Sequence, residues 1–215
     1  MEPALLIIDM QNDFVRPDGV MPVAGAEAIV EPVRRVLEAF RTRNLPVFHV
    51  VRVHRPDGSD VEIIRRERFC KTPFAVAGSP GAAVIDELAP RKEEYLIPKI
   101  RMSAFLFTDL DQVLRTLGVD TVVVAGIQTP NCIRTTVYDA MSYGYATFLV
   151  DDAVAARTPE IHRANVRDME DAGIGIITTR DVDGLLDGGD RGVQFRNDGG
   201  HGPVHDRGIQ DVCSR

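Results

Sequence analysis

Cysteine is scarce in this chain. There are three, Cys70, Cys132 and Cys213, an odd number without framework spacing. Such a set argues against a disulfide-stapled secreted domain and fits a reducing cytosol, so a cytoplasmic protein is expected. Long apolar runs are also missing, and no stretch approaches the length of a membrane span. The opening "MEPALLIIDM" lacks a basic n-region and reads as no signal peptide. Basic residues are outnumbered, with 25 Lys and Arg against 32 Asp and Glu and a net charge of -7. Nucleic-acid surfaces concentrate cations, so neither nucleic acid nor membrane is an expected partner. The one basic cluster, "RRERF" from Arg65 to Phe69, is short and reads first as a solvated face.

What is present is an ordinary globular composition, 44% hydrophobic and 27% charged. With 215 residues it suffices for one domain with a real core. "ALLIID" (Ala4 to Asp9), "LPVFHVVRV" (Leu45 to Val53), "EEYLIPK" (Glu93 to Lys99), "DTVVVAG" (Asp120 to Gly126), "YATFLVDD" and "IGIITT" read as strands. Between them lie helical patterns. One runs from Gly25 to Asn44, with apolar spacing through Ile29, Val33, Val36, Leu37 and Phe40. A second runs from Thr108, as N-cap, to Gly118. A third is "NCIRTTVYDAMSYG", and a fourth follows the N-cap Thr158 with Pro159 at its first position. The Pro- and Gly-rich stretch from His54 to Gly81 reads as loops and short helical pieces. The alternation implies an α/β protein with a parallel sheet covered on both faces. Residues 1–186 form the expected domain. Residues 187–215 are Gly- and Asp-rich without hydrophobic period, and read as a mobile tail or an inter-subunit arm.

Ligands of open α/β sheets bind beyond the carboxyl ends of the strands. Three reactive side chains fall there: Asp9 closes the first strand, Lys99 the third, and Cys132 follows the fourth at a helix start. Each has a plainer reading. Asp9 could cap a turn, Lys99 could be a solvated charge, and Cys132 could be core packing. Taken together they favour nucleophilic catalysis. The positive end of a helix and a lysine both favour a thiolate, and a carboxylate can shuttle its proton. Backbone N–H groups between Gly126 and Cys132 could hold an oxyanion.

Three blocks in this order, "LLIIDMQNDFV", "IPKIRMSAFLFTDL" and "VVVAGIQTPNCIRTTVYDAMSYGY", resemble the isochorismatase-like hydrolases, in their cysteine-hydrolase branch. The resemblance covers about Ala4 to Thr179. It implies a three-layer Rossmann-like fold with a six-stranded parallel sheet, and a triad of Asp9, Lys99 and Cys132. It also implies a cis peptide between Ile127 and Gln128, an oxyanion hole from the N–H groups of Gln128 and Cys132, and a pocket lined by Phe14. True isochorismatases cleave a vinyl ether and lack the cysteine. The nicotinamidase branch holds a metal through Asp-x-His and a further His. Here Arg52 stands where that Asp would be, His54 is present, and no second His follows before His162. A lone histidine makes no closed site, so neither metal nor other cofactor is expected. The tail pair His201 and His205 lies in a Gly/Pro stretch unsuited to a metal.

The expected activity is therefore cofactor-free hydrolysis of a C–N bond in a small amide, ureido or N-carbamoyl compound, through a covalent Cys132 intermediate. The expected assembly is a homodimer or homotetramer. Arg52, Arg55, Arg65, Arg66 and Arg68 could reach the pocket and suit a substrate carboxylate. The alternatives are a non-enzymatic Rossmann-like binding protein, a redox-sensing cysteine, or a nicotinamidase or isochorismatase-type activity.

Overall fold

The computed structural model describes residues 1–188. The tail beyond them, with His201, His205 and Cys213, lies outside the described residues. Six strands form one sheet: β1 (Pro3–Ile8), β2 (Val47–Arg52), β3 (Tyr95–Lys99), β4 (Thr121–Ile127), β5 (Ala146–Ala155) and β6 (Gly175–Ile177). Every pairing is parallel, in the order β3-β2-β1-β4-β5-β6. The chain builds outward from β1 to β3, then crosses back and builds outward again from β4. The reversal lies between β1 and β4, where a crevice opens at the carboxyl ends of the strands.

β1, β2 and β4 are buried along their whole length, as strands covered on both faces must be. Alternation sorts their side chains into two cores. On one face Leu5, Ile7, Val47 and Val123 meet helix α2 (Val30–Thr42) through Val33, Val36, Leu37 and Phe40. On the other, Ala4, Leu6, Ile8, Val50 and Val124 meet α4 (Leu110–Thr116), α5 (Arg134–Ser142) and α6 (Pro159–Asp171). Each fully buried Val, Leu or Phe in these layers contributes about 1.5–3 kcal/mol. Among the described residues, no helix is long and apolar enough to cross a membrane.

The helices mostly fall where periodicity places them, and their ends differ. Thr158 caps α6, accepting from the Ile161 N–H at 3.3 Å. The second helix starts at Leu110, so the first residue outside it is Asp109 and not Thr108; the Thr108 hydroxyl instead accepts from the Leu110 N–H at 3.3 Å. The loop region between β2 and β3 contains α3 (Ile63–Lys71) and two 3-10 turns, at Pro80–Ala82 and Asp86–Leu88. Two short helices carry too few residues to show a period: α1 (Asn12–Val15), just after β1, and α7 (Val182–Leu186), after β6.

The outer edge of β2 holds a buried polar knot. Glu94 accepts from Arg41 at 2.6 and 2.9 Å, from the Arg91 N–H at 2.8 Å and lies 2.9 Å from His49 Nε2. Burial alone would raise this carboxyl; the Arg41 guanidinium, the Arg91 N–H and His49 outweigh it and hold Glu94 down to about 2. A depressed carboxyl contributes stability that is complete above its unfolded value of about 4.3 and lost as pH falls towards 2. Glu94→Gln should therefore cost about 3 kcal/mol at neutral pH, because Arg41 loses its buried partner. The stability difference should shrink between pH 4 and 2, which denaturant melts at several pH values would show.

Candidate active site

β1 ends at Ile8, and the next residue, Asp9, takes a left-handed backbone conformation, φ 54°. Its N–H still reaches across to the Val50 carbonyl at 2.8 Å, so the turn is anchored on β2. On the other side of β1, Gly126 lies against Ile8 in register. A Cβ at Gly126 would stand 2.2 Å from the Ile8 carbonyl oxygen, and its φ is +113°, so only glycine fits. This close approach puts the turn after β4 beside Asp9.

That turn begins with a cis Ile127–Gln128 peptide and continues as a five-residue π-helical segment, Thr129–Ile133. Cys132 sits inside the segment, before α5 begins at Arg134, and not at the N-terminus of a regular helix. The Gln128 carbonyl accepts from the N–H groups of Asn131 and Ile133 at 3.0 and 3.2 Å. Thr129, fully buried, is tied to His162 Nδ1 at 3.1 Å.

Lys99 is the last residue of β3 and is 1% exposed. Its ammonium donates to Asp9 Oδ2 at 2.9 Å, to the Arg101 carbonyl at 3.2 Å and to Cys132 Sγ at 3.4 Å. The three residues named from the sequence thus meet at one point.

A fourth group joins them. Arg52 is 2% exposed, is the register neighbour of Lys99, and places Nη2 3.7 Å from Cys132 Sγ. Its Nη1 donates to Glu62 at 3.0 Å and to the Ile100 carbonyl at 3.4 Å. Its backbone is fixed by the side-chain amide of buried Gln11, which accepts from the Arg52 N–H and donates to the Arg52 carbonyl, both at 2.7 Å. Burial works against the Arg52 charge, but the negative groups around it, Cys132 when ionised, Asp9 and Glu62, hold it firmly protonated. The sequence marks Arg52 as standing in place of a metal-ligand Asp and as one of several arginines near the pocket; the structure turns its guanidinium to Glu62, the Ile100 carbonyl and the thiol. Gln11 and Asn131 lie inside the first and third blocks without a role assigned to them, and Glu62 carries no sequence signal.

The electrostatics differ from the expectation of a ready thiolate. Burial pushes the Cys132 thiol up and the Asp9 carboxylate pushes it further, while Lys99 and Arg52 pull it back without prevailing. The thiol is therefore held further from the thiolate than an exposed cysteine, with a carboxylate beside it. Asp9 Oδ1 is buried without a hydrogen-bond partner among the described residues.

A small cavity of ≈ 50 Å³ opens onto Asp9, Arg52, Gln128 and Cys132. Phe14, on α1, lines it, as do Phe74, Met21, Val23, Asn131 and Arg65. Of the other arginines in this region, Arg55, Arg66 and Arg68 are exposed and do not line the cavity. His54 is fully buried between the rings of Phe69 and Phe74, its Nδ1 3.3 Å from Asp60. Among the described residues, no three His, Cys, Asp or Glu side chains converge so as to hold a metal ion. The Asp-x-His pattern of the nicotinamidase branch does not fit here: the residue in the Asp position is Arg52, a cation that cannot ligate a metal and whose guanidinium is held by Glu62 and the Ile100 carbonyl.

A doubly wound parallel sheet with a buried thiol, carboxylate and ammonium at its switch point defines a cysteine hydrolase of Rossmann-like architecture. The isochorismatase domain family matches residues 3–181, and the chain belongs to that family, in its cysteine-hydrolase branch. A solved isochorismatase family protein from Desulfovibrio vulgaris is 43% identical, with a TM-score of 0.84 over 86% of this chain and 98% of that one. A protein of Arabidopsis thaliana named as a probable inactive nicotinamidase is 46% identical over 175 residues, covering 80% of this chain and 89% of its own. Maleamate amidohydrolase of Pseudomonas putida is 34% identical over 183 residues, covering 84% of this chain and 85% of its own. The chain is a hydrolase acting on small, non-peptide C–N bonds.

The Asp9 effect on the thiol can be measured. Asp9→Asn removes a group that raises the Cys132 pKa and leaves Lys99 and Arg52, which lower it. The thiolate absorbance near 240 nm, corrected with Cys132→Ser, should therefore titrate at lower pH in Asp9→Asn than in the native enzyme. An unchanged or higher midpoint would contradict this electrostatic account.

Proposed function

We propose that the enzyme hydrolyses a small amide, ureido or N-carbamoyl compound through a covalent intermediate on Cys132, with Asp9 as proton shuttle and Lys99 as its electrostatic partner. The observation that carries this reading is the Lys99 ammonium in contact with both the Asp9 carboxylate, at 2.9 Å, and the Cys132 thiol, at 3.4 Å, beside a cavity that Asp9 and Cys132 both line.

Asp9 takes the thiol proton as Sγ attacks the carbonyl carbon, and the carbonyl π electrons move to oxygen. Arg52 and Lys99 face the sulfur as it becomes negative, while Asp9 becomes neutral, so the buried charge is moved and not increased. The N–H groups of Gln128 and Cys132 are the proposed oxyanion donors, those of Asn131 and Ile133 being engaged by the Gln128 carbonyl. Collapse of the adduct breaks the C–N bond, and the leaving nitrogen takes the proton from Asp9. Water then attacks the thioester, or thiocarbamate for a ureido substrate. Asp9 accepts its proton and returns it to the departing sulfur.

Nicotinamide is a poor substrate on this reading, since Arg52 replaces a metal ligand. The Arabidopsis relative's name, a probable inactive nicotinamidase, agrees with that. The maleamate amidohydrolase name supports the amide class. Isochorismatase-type chemistry is disfavoured because it requires no thiol.

Cys132→Ser and Cys132→Ala should lower ammonia release by about a thousandfold or more while thermal melting changes little. Acid quenching during turnover should leave a mass adduct on the peptide carrying Cys132. An adduct on exposed Cys70 instead, or full turnover in both variants, would refute the assignment.

A further inference from the structure

The charges around the cavity do not balance. Asp9 is matched by Lys99 at 2.9 Å, and Glu62 by Arg52 at 3.0 Å. Arg65 is left over. It projects from the first turn of α3 into the lining of the cavity, half-buried, and makes no side-chain hydrogen bond or ion pair among the described residues. Glu62 feels Arg65 at a distance, but its close partner is Arg52. Of the three charged side chains that line the cavity, Asp9 and Arg52 are thus already paired, and Arg65 is the one with unused donors.

The two arginines are not equivalent. Arg52 has its backbone clamped by Gln11, one terminal nitrogen on Glu62 and Ile100, and the other on the thiol. It is committed before any ligand arrives. Arg65 lies on a different element, with its planar fork free. The rest of the cavity wall on this side is apolar, formed by Phe14, Phe74, Met21 and Val23. A half-buried guanidinium with unused donors on such a wall suits a ligand anion that brings both charge and bidentate geometry.

We infer that Arg65 is the specificity residue of this pocket and that the substrate is a monoanion: a short amide or ureido acid whose carboxylate pairs with the Arg65 guanidinium while its carbonyl carbon faces Cys132. Arg65 and Cys132 line the same small cavity, so a short spacer between the two groups suffices. This inference rests on the hydrolase reading of the same site, but the electrostatic argument concerns ligand charge alone.

Two measurements keep the two apart. The first compares ammonia release from malonamate and succinamate with release from the neutral malonamide and succinamide. The native enzyme should prefer the acid of each pair by tenfold or more in kcat/KM. Arg65→Ala should collapse that ratio mainly through the KM of the acid, and Arg65→Lys should recover part of it. The second is calorimetric binding of malonate and succinate to Cys132→Ser and to Cys132→Ser combined with Arg65→Ala, which needs no turnover. A tenfold or greater loss of affinity in the double variant supports the inference even where none of the four amides is cleaved, an outcome that counts against the hydrolase reading instead. Equal handling of acid and neutral amides by the native enzyme, or dicarboxylate binding indifferent to Arg65, overturns it.

Discussion

The ion pair between Lys99 and Asp9 is the contact around which this site is organised. Its two members come from β3 and from the end of β1, with all of β2 between them. Only a long side chain crossing the end of the intervening strand can join them. Lys99 makes that crossing while 1% exposed, so its charge has almost no water to fall back on. Removing either partner would strand the other in a dry interior, a cost of several kcal/mol. The pair therefore ties the thiol's neighbourhood to the sheet itself and not to a loop.

The same arrangement bears on the thiol, whose ionisation burial and Asp9 oppose. Two cations near a sulfur would ordinarily make a standing thiolate, open to oxidation and alkylation. Here burial and Asp9 counter them. On the mechanism proposed above, reactivity comes from moving one proton from the thiol to Asp9, within a cluster whose net charge stays constant.

Much of this was legible in the sequence, for identifiable reasons. Strands covered on both faces must be apolar throughout, so β1 and β4 announce themselves, and their carboxyl ends point to Asp9 and Cys132 without coordinates. The family resemblance of three ordered blocks adds the expected triad and the cis peptide. What was less legible depends on packing between distant segments. The regular helix read at Cys132 is a π-helical segment with Pro130 in its first turn, and α5 starts only at Arg134. The approach of Arg52 to the sulfur depends on Gln11, 41 residues away, and Arg65 differs from Arg66 and Arg68 only in the direction α3 presents it. Composition treats all three arginines alike; the helix does not.

Gln11 has a broader consequence. Its side-chain amide occupies both the donor and the acceptor of Arg52, as a neighbouring strand residue would. The same Nε2 also reaches the Ala82 carbonyl at 2.8 Å. One neutral side chain thereby joins the turn after β1, the end of β2 and the distant 3-10 turn at Pro80–Ala82. Selectivity can drift through residues such as Arg65 on α3 while this joint stays fixed. The layout separates what the enzyme does to a bond from which molecule it accepts, and lets the second change without disturbing the first.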